Sequence, residues 1–151
     1  MLETLPQIPL FLSFDARQQK ILLDVFESYA CPSDTFIIEQ GKPALYLYVI
    51  LKGRANIRYK PYDGASMTLT RLKAGDVFGW SAAVGSKNYT SGVLSQSPLE
   101  AIRIRRDSLW NLLALHPETG KIIIDRLALN VSPRWKNAHE QIQRMIDSER
   151  S

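Results

Sequence analysis

Glycines stand at positions 41, 53, 64 and 75, and the stretches between them are short runs of β-branched and aromatic residues. T-F-I-I-E (35–39), L-Y-L-Y-V-I-L (45–51), A-N-I-R-Y-K (55–60) and M-T-L-T-R-L (67–72) are each closed by a turn residue. Strands at that even spacing predict an antiparallel jelly-roll rather than alternating strand–helix units. Asp63-Gly64 is the strongest hairpin turn among them. Gly92 to Ser95 and Leu99 to Arg105 add further strands. In the latter, Leu99, Ala101, Ile102 and Ile104 alternate, with one exception, with Glu100, Arg103 and Arg105, so one face is expected inside and the other in water. The roll is placed at about 34–105.

Helices are expected on both sides of it. Residues 13–30 carry Ile21, Leu22, Val25, Phe26 and Tyr29 at helical spacing, with Ser13 or Asp15 as cap and Cys31-Pro32 as the stop. The preceding I-P-L-F (8–11) reads as a lead-in that packs on the roll. C-terminal helices are expected over about 107–149. Asp107 or Ser108 can cap the first, and His116-Pro117 breaks it. Beyond, Ile124, Ala128, Val131, Trp135, Ala138, Ile142 and Met145 form an apolar seam with steps of four and three. Pro133 lies inside the seam, which keeps phase across it. A kinked continuous helix is therefore favoured over a break. The seam suits a homodimer, with folding back on the roll as the alternative.

A chain of 151 residues, 45% hydrophobic and 23% charged, suits a single domain over 1–151. Cys31 is the one cysteine, so no intrachain disulfide forms, and a cytoplasmic setting is expected. The apolar start contains Glu3 and two prolines and lacks the basic region of a signal peptide, and no run is long enough for a membrane span. His116 and His139, the only histidines, fall in helical segments, so a histidine-rich metal site inside the roll is excluded. Neither a nucleophile elbow nor a P-loop occurs. An enzyme is not expected. The net charge of +4 and the arginines of the C-terminal third permit DNA binding, but acidic residues are interspersed and no reading motif accompanies them.

The remaining candidate is G-D-V-F-G-W-S-A-A-V-G-S-K-N-Y-T-S (75–91): a strand, a tight turn, a short helix and a polar loop opened by Gly85. A helix start with free N–H groups can hold an anion, and Gly79 would let a ligand approach the backbone. A plain glycine-punctuated connection between strands accounts for the same residues.

The order and spacing of I-P-L-F, E-Q-G-K-P-A-L-Y-L-Y-V-I-L-K-G-R-A (39–55), G-D-V-F-G (75–79) and R-D-S-L-W-N-L-L (106–113) resemble the cyclic-nucleotide-binding domain over roughly residues 8–145. The resemblance implies an eight-stranded roll, a phosphate-binding cassette at 75–91, and a C-terminal helix that dimerises or caps the ligand. A helix-turn-helix is not expected. It also implies a site drawn from Phe78, Gly79, Trp80, Ser81, Ala82, Lys87, Tyr89, Thr90 and Ser91. No metal or other cofactor is implied beyond a cyclic nucleotide or another small anionic ligand.

Two positions depart from the family. Trp80 stands where members that bind cyclic AMP or cyclic GMP carry a glutamate for the ribose 2′-hydroxyl, and Tyr89 where they carry an arginine for the phosphate. An indole has no acceptor, and a phenol can donate one neutral hydrogen bond but lacks the charge and the fork. Charge-assisted bonds are worth roughly 1.5–3 kcal/mol each, so losing both weakens the usual ligand by about two to four orders of magnitude. Lys87, Lys73 or Arg71 could restore a positive charge. Trp80 can serve as a stacking platform or as filler of the pocket. The expected role is a ligand-sensing regulatory module with altered cyclic nucleotide recognition. The alternative is a scaffold for dimerisation or a protein partner, without a ligand.

Overall fold

A computed structural model describes residues 9–61, 64–83 and 86–131. The chain opens with a 3-10 turn (Pro9–Phe11), whose Leu10 and Phe11 are buried, and then α1 (Ala16–Val25). Of the two expected caps, Asp15 serves. Its carboxylate accepts from the Gln18 backbone N–H (2.8 Å), while the Gln18 side-chain Oε1 accepts from the Asp15 N–H (3.1 Å).

The helix stops at Val25, earlier than the periodicity predicts. Residues expected to continue it form β1 (Phe26–Cys31), which pairs antiparallel with β8 (Leu99–Arg105) from Phe26↔Ile104 to Cys31↔Leu99. Five apolar residues at helical spacing fit a helix, but pairing along all of β8 outweighs that local preference. Phe26 turns its ring edge-on to Phe11, with centroids 5.2 Å apart. The roll therefore starts at Phe26 rather than near residue 34.

The other strands fall where the glycine rhythm places them: β2 (Phe36–Ile38), β3 (Tyr46–Lys52), β4 (Ala55–Tyr59), β5 (Met67–Leu72), β6 (Val77–Phe78) and β7 (Gly92–Ser95). They form two four-stranded antiparallel sheets, β1-β8-β3-β6 and β2-β7-β4-β5. The β4–β5 hairpin pairs Tyr59 with Met67 around the predicted turn, of which Asp63 lies outside the described residues. At Gly53, which turns β3 into β4 with φ +101°, a Cβ would sit 2.5 Å from the Pro98 carbonyl oxygen.

Both faces of β8 carry buried residues, where one wholly solvated face is expected, although Arg105 stays exposed and Glu100 and Arg103 partly so. Leu99, Ala101, Ile102 and Ile104 are all buried, as are Leu47, Tyr48, Val49 and Ile50 beside them. The face with Phe26 meets the N-terminal turn, and the face with Tyr48 and stacked Phe78 looks toward the second sheet.

After β8, α3 (Arg106–Leu115) starts at once, with Arg105 in extended backbone at its head and no side-chain cap. Asp107 and Ser108, the predicted caps, lie inside the helix; the Asp107 carboxylate occupies the first turn, where the helix dipole favours it. His116 separates α3 from α4 (Pro117–Leu129), which begins with proline at its first position. α4 ends at Leu129. Asn130 turns the chain, and Val131 forms a parallel bridge with Val77, whose N–H donates to the Asn130 carbonyl (3.0 Å). The expected uninterrupted helix is therefore already broken ahead of Pro133. In the described part of the seam, Ile124 packs against the core and Val131 is buried in the fold itself. Pro133, Trp135, Ala138, Ile142 and Met145 lie outside the described residues.

Candidate functional site

The cassette is built on the edge of β3. β6 is two residues long and pairs Phe78 with Tyr48 and Val77 with Val49. Gly79 then turns with φ +81°, and a Cβ there would stand 2.7 Å from the Tyr46 carbonyl oxygen and 3.3 Å from Ile38 Cδ1. The protein's own backbone therefore already demands glycine at this position. The next residues form the single-turn helix α2 (Trp80–Ala83). The Ala82 N–H donates to the Gly79 carbonyl and the Ser86 N–H to the Ser81 carbonyl, both at 3.0 Å. Val84 and Gly85 lie outside the described residues.

Of the predicted site residues, Phe78, Gly79, Trp80, Ser81, Tyr89 and Ser91 share one cavity. Ile38, Ile57 and Val93 of the second sheet close it from the other side. Sequence reasoning missed these three, although Ile57 and Val93 carry the inward alternation of their strands. The cavity measures about 10 Å³, room for about one water, whereas small-molecule pockets run to roughly 300–1,000 Å³. Ser81 and Ser91 are buried, and the Ser81 hydroxyl lies 3.5 Å from that of half-buried Thr90. Ala82 is fully buried behind the turn, and Trp80 is half-buried against the core.

Tyr89 is not positioned as a phosphate donor. Its hydroxyl accepts from the Tyr46 N–H at 2.9 Å and donates to the Tyr46 carbonyl, supplying partners to β3 where the short β6 has run out. Its backbone is held as well, with its N–H on the Lys42 carbonyl and its carbonyl receiving the Gly41 N–H, both at 2.8 Å. Burial of the phenol pushes its pKa up to about 12, against the lowering effect of the Tyr46 hydrogen bond. The expected compensating cations stand elsewhere. Lys87 is exposed and outside the cavity lining, Lys73 pairs with Asp76 at 3.4 Å, and Arg71 is exposed on β5. A residue not anticipated is Arg106, whose Nη1 donates to the Ser86 carbonyl (2.7 Å) and pins the end of the cassette to α3.

Two four-stranded antiparallel sheets, with a helical cassette inserted between β6 and β7 and helices at both ends, make a β-roll. A family model for the cyclic nucleotide-binding domain matches residues 30–116, and the chain belongs to that family. It is 28% identical over 115 residues to the cAMP-activated global transcriptional regulator CRP of Pasteurella multocida, covering 76% of this chain and 53% of that protein. It is 27% identical over 109 residues to the cAMP-dependent protein kinase regulatory subunit of Aspergillus fumigatus, covering 72% of this chain and 26% of that one. The chain thus spans about half the length, or less, of these curated relatives. Among solved structures, a cyclic nucleotide-binding domain from Methylobacillus flagellatus superposes with a TM-score of 0.74 at 25% identity, covering 95% of this chain and 81% of that one. Among the described residues no group of three His, Cys, Asp or Glu side chains could hold a metal ion, and no helix is long and apolar enough to cross a membrane.

Proposed function

We propose that the domain is a cytoplasmic regulatory module that senses a small anionic, nucleotide-like ligand in its cassette, with cyclic AMP and cyclic GMP recognition weakened relative to its family. The observation that carries the reading is the Tyr89 hydroxyl, which is spent on both backbone groups of Tyr46 at the position of the expected phosphate-binding arginine. Trp80 removes the carboxylate for the ribose as well. The module acts by changing an interface, either a homodimer made by the C-terminal segment or the contact with a protein partner, and neither catalysis nor DNA binding is part of the role. A thermal-shift panel of cyclic nucleotides, linear nucleotides and nucleosides tests it, because a ligand of the native state raises the melting temperature by mass action. A rise with a phosphorylated nucleotide other than cyclic AMP or cyclic GMP is the expected result.

The second reading, a scaffold without a ligand, is favoured by the cavity of about 10 Å³. Opening room for a nucleotide requires the cassette to move away from β3, against the Tyr89 bonds. Under that reading no compound of the panel moves the melting temperature, and Trp80→Glu destabilises the fold without creating a ligand response, because it leaves a carboxylate in an apolar wall.

A further inference from the structure

The run Arg103-Ile-Arg-Arg106 ends β8 and opens α3 beside Leu45, the exposed residue just ahead of β3. Arg105 is in register with Tyr46, and the Arg106 N–H donates to the Leu45 carbonyl at 2.8 Å. The Arg106 guanidinium lies 4.7 Å from the centre of the Trp110 ring, and Arg103 lies 4.0 Å from that of Tyr46. The Ala44 N–H donates to the Lys87 carbonyl, which brings Lys87 to the same edge. Leu45 and Trp110 are 49% and 45% exposed, and Arg105 and Lys87 are exposed with them. The ion pairs among the described residues are Lys52–Glu100, Lys73–Asp76 and Glu27–Arg103. Arg103 is thus neutralised by Glu27, while Lys87, Arg105 and Arg106 have no carboxylate partner there. Asp107, in the first turn of α3, offsets one of these three charges.

We propose that this surface docks an acidic protein segment that inserts an apolar side chain between Leu45 and Trp110 while its carboxylates meet Arg105, Arg106 and Lys87. Charge complementarity selects the occupant: the surplus is positive, and arginine and tryptophan side by side are the residues that anchor protein interfaces. A nucleic acid fits less well. Leu45 offers no ring for a base, and Trp110 and Tyr46 each already hold a guanidinium against one face. Because Arg106 also holds the Ser86 carbonyl at the end of the cassette, the docking surface adjoins the candidate ligand site, yet it stands whether or not the cassette takes a ligand.

The test is selection of a random dodecapeptide library against the full chain, followed by fluorescence anisotropy of the enriched peptide. Enriched sequences are expected to place several Asp or Glu residues around Leu, Phe or Trp. Arg105→Glu and Trp110→Ala should each weaken the peptide by at least about tenfold, while Arg105→Lys stays within about threefold of the parent. Both side chains are exposed, so melting temperatures should match the parent and separate lost binding from lost folding. Four results would overturn the proposal. These are an absence of acidic enrichment, equal binding by parent, Arg105→Glu and Trp110→Ala, Arg105-dependent binding of a random DNA duplex in place of the peptide, and a dimer that Arg105→Glu or Trp110→Ala dissociates.

Discussion

Tyr89→Phe removes one oxygen atom and, with it, both partners of the Tyr46 peptide groups. The hydroxyl stands 2.9 Å from the Tyr46 nitrogen and also donates to its carbonyl, so the variant leaves an N–H and a C=O at the edge of β3 without partners. The ring still fills the cavity wall, and no packing volume is lost. A buried unsatisfied backbone group costs about 1–3 kcal/mol. Tyr46 is half-buried, so water recovers part of that, and the expected loss is about 2 kcal/mol in total. For a domain of this size each kcal/mol corresponds to about 2–4 °C, so the melting temperature should fall by about 4–8 °C. Urea denaturation of parent and variant measures the loss directly, and an unchanged m-value shows that the denatured state is not responsible. A loss below about 0.5 kcal/mol, the size of an ordinary surface substitution, would refute the lock.

Gly79→Ala should cost at least about 2 kcal/mol, since the φ of +81° and a Cβ at 2.7 Å from the Tyr46 oxygen both oppose it; denaturant unfolding checks this. Stability should hold through neutral pH and decline as pH rises from 10.0, the ordinary phenol value, toward about 12, because the folded state keeps the Tyr89 proton after the unfolded chain has released it. Tyr29, raised to about 12 by burial, adds to the same decline, and the Tyr89→Phe variant should show a shallower fall in a melting-temperature series. In light scattering the full chain should run as a dimer and a chain ended after Val131 as a monomer with unchanged β-type circular dichroism. A monomeric full chain at micromolar concentration would contradict the seam.

The roll was legible because its turns are written in glycines at even intervals and its strands in β-branched and aromatic runs, signals that depend on local chemistry. Phe26 to Cys31 was not, since its apolar spacing continues that of the helix before it, and only β8, more than sixty residues later in the chain, draws it into a sheet. The start of α3 was missed for a related reason. Arg105 leads from strand into helix without a capping side chain, while Asp107 and Ser108 look like caps in isolation. At the site, Phe78, Gly79, Trp80, Ser81, Tyr89 and Ser91 of the expected residues line one cavity while Ala82, Lys87 and Thr90 do not, because the direction of each side chain could not be read from the sequence. Tyr89 reads as a substitute donor for a phosphate, yet a neighbouring strand edge left unpaired by the two-residue β6 claims its hydroxyl first. Gly79 is required by the Tyr46 carbonyl, a contact that only the assembled sheets create.

The most direct test of the account is a calorimetric titration of the full chain with cyclic AMP and with cyclic GMP. With Trp80 in place of an acceptor and the Tyr89 hydroxyl committed to Tyr46, neither should bind more tightly than about 100 μM, from the loss of two charge-assisted hydrogen bonds. Low-micromolar affinity for either nucleotide would contradict the account and mean that the cassette opens and finds its charge elsewhere.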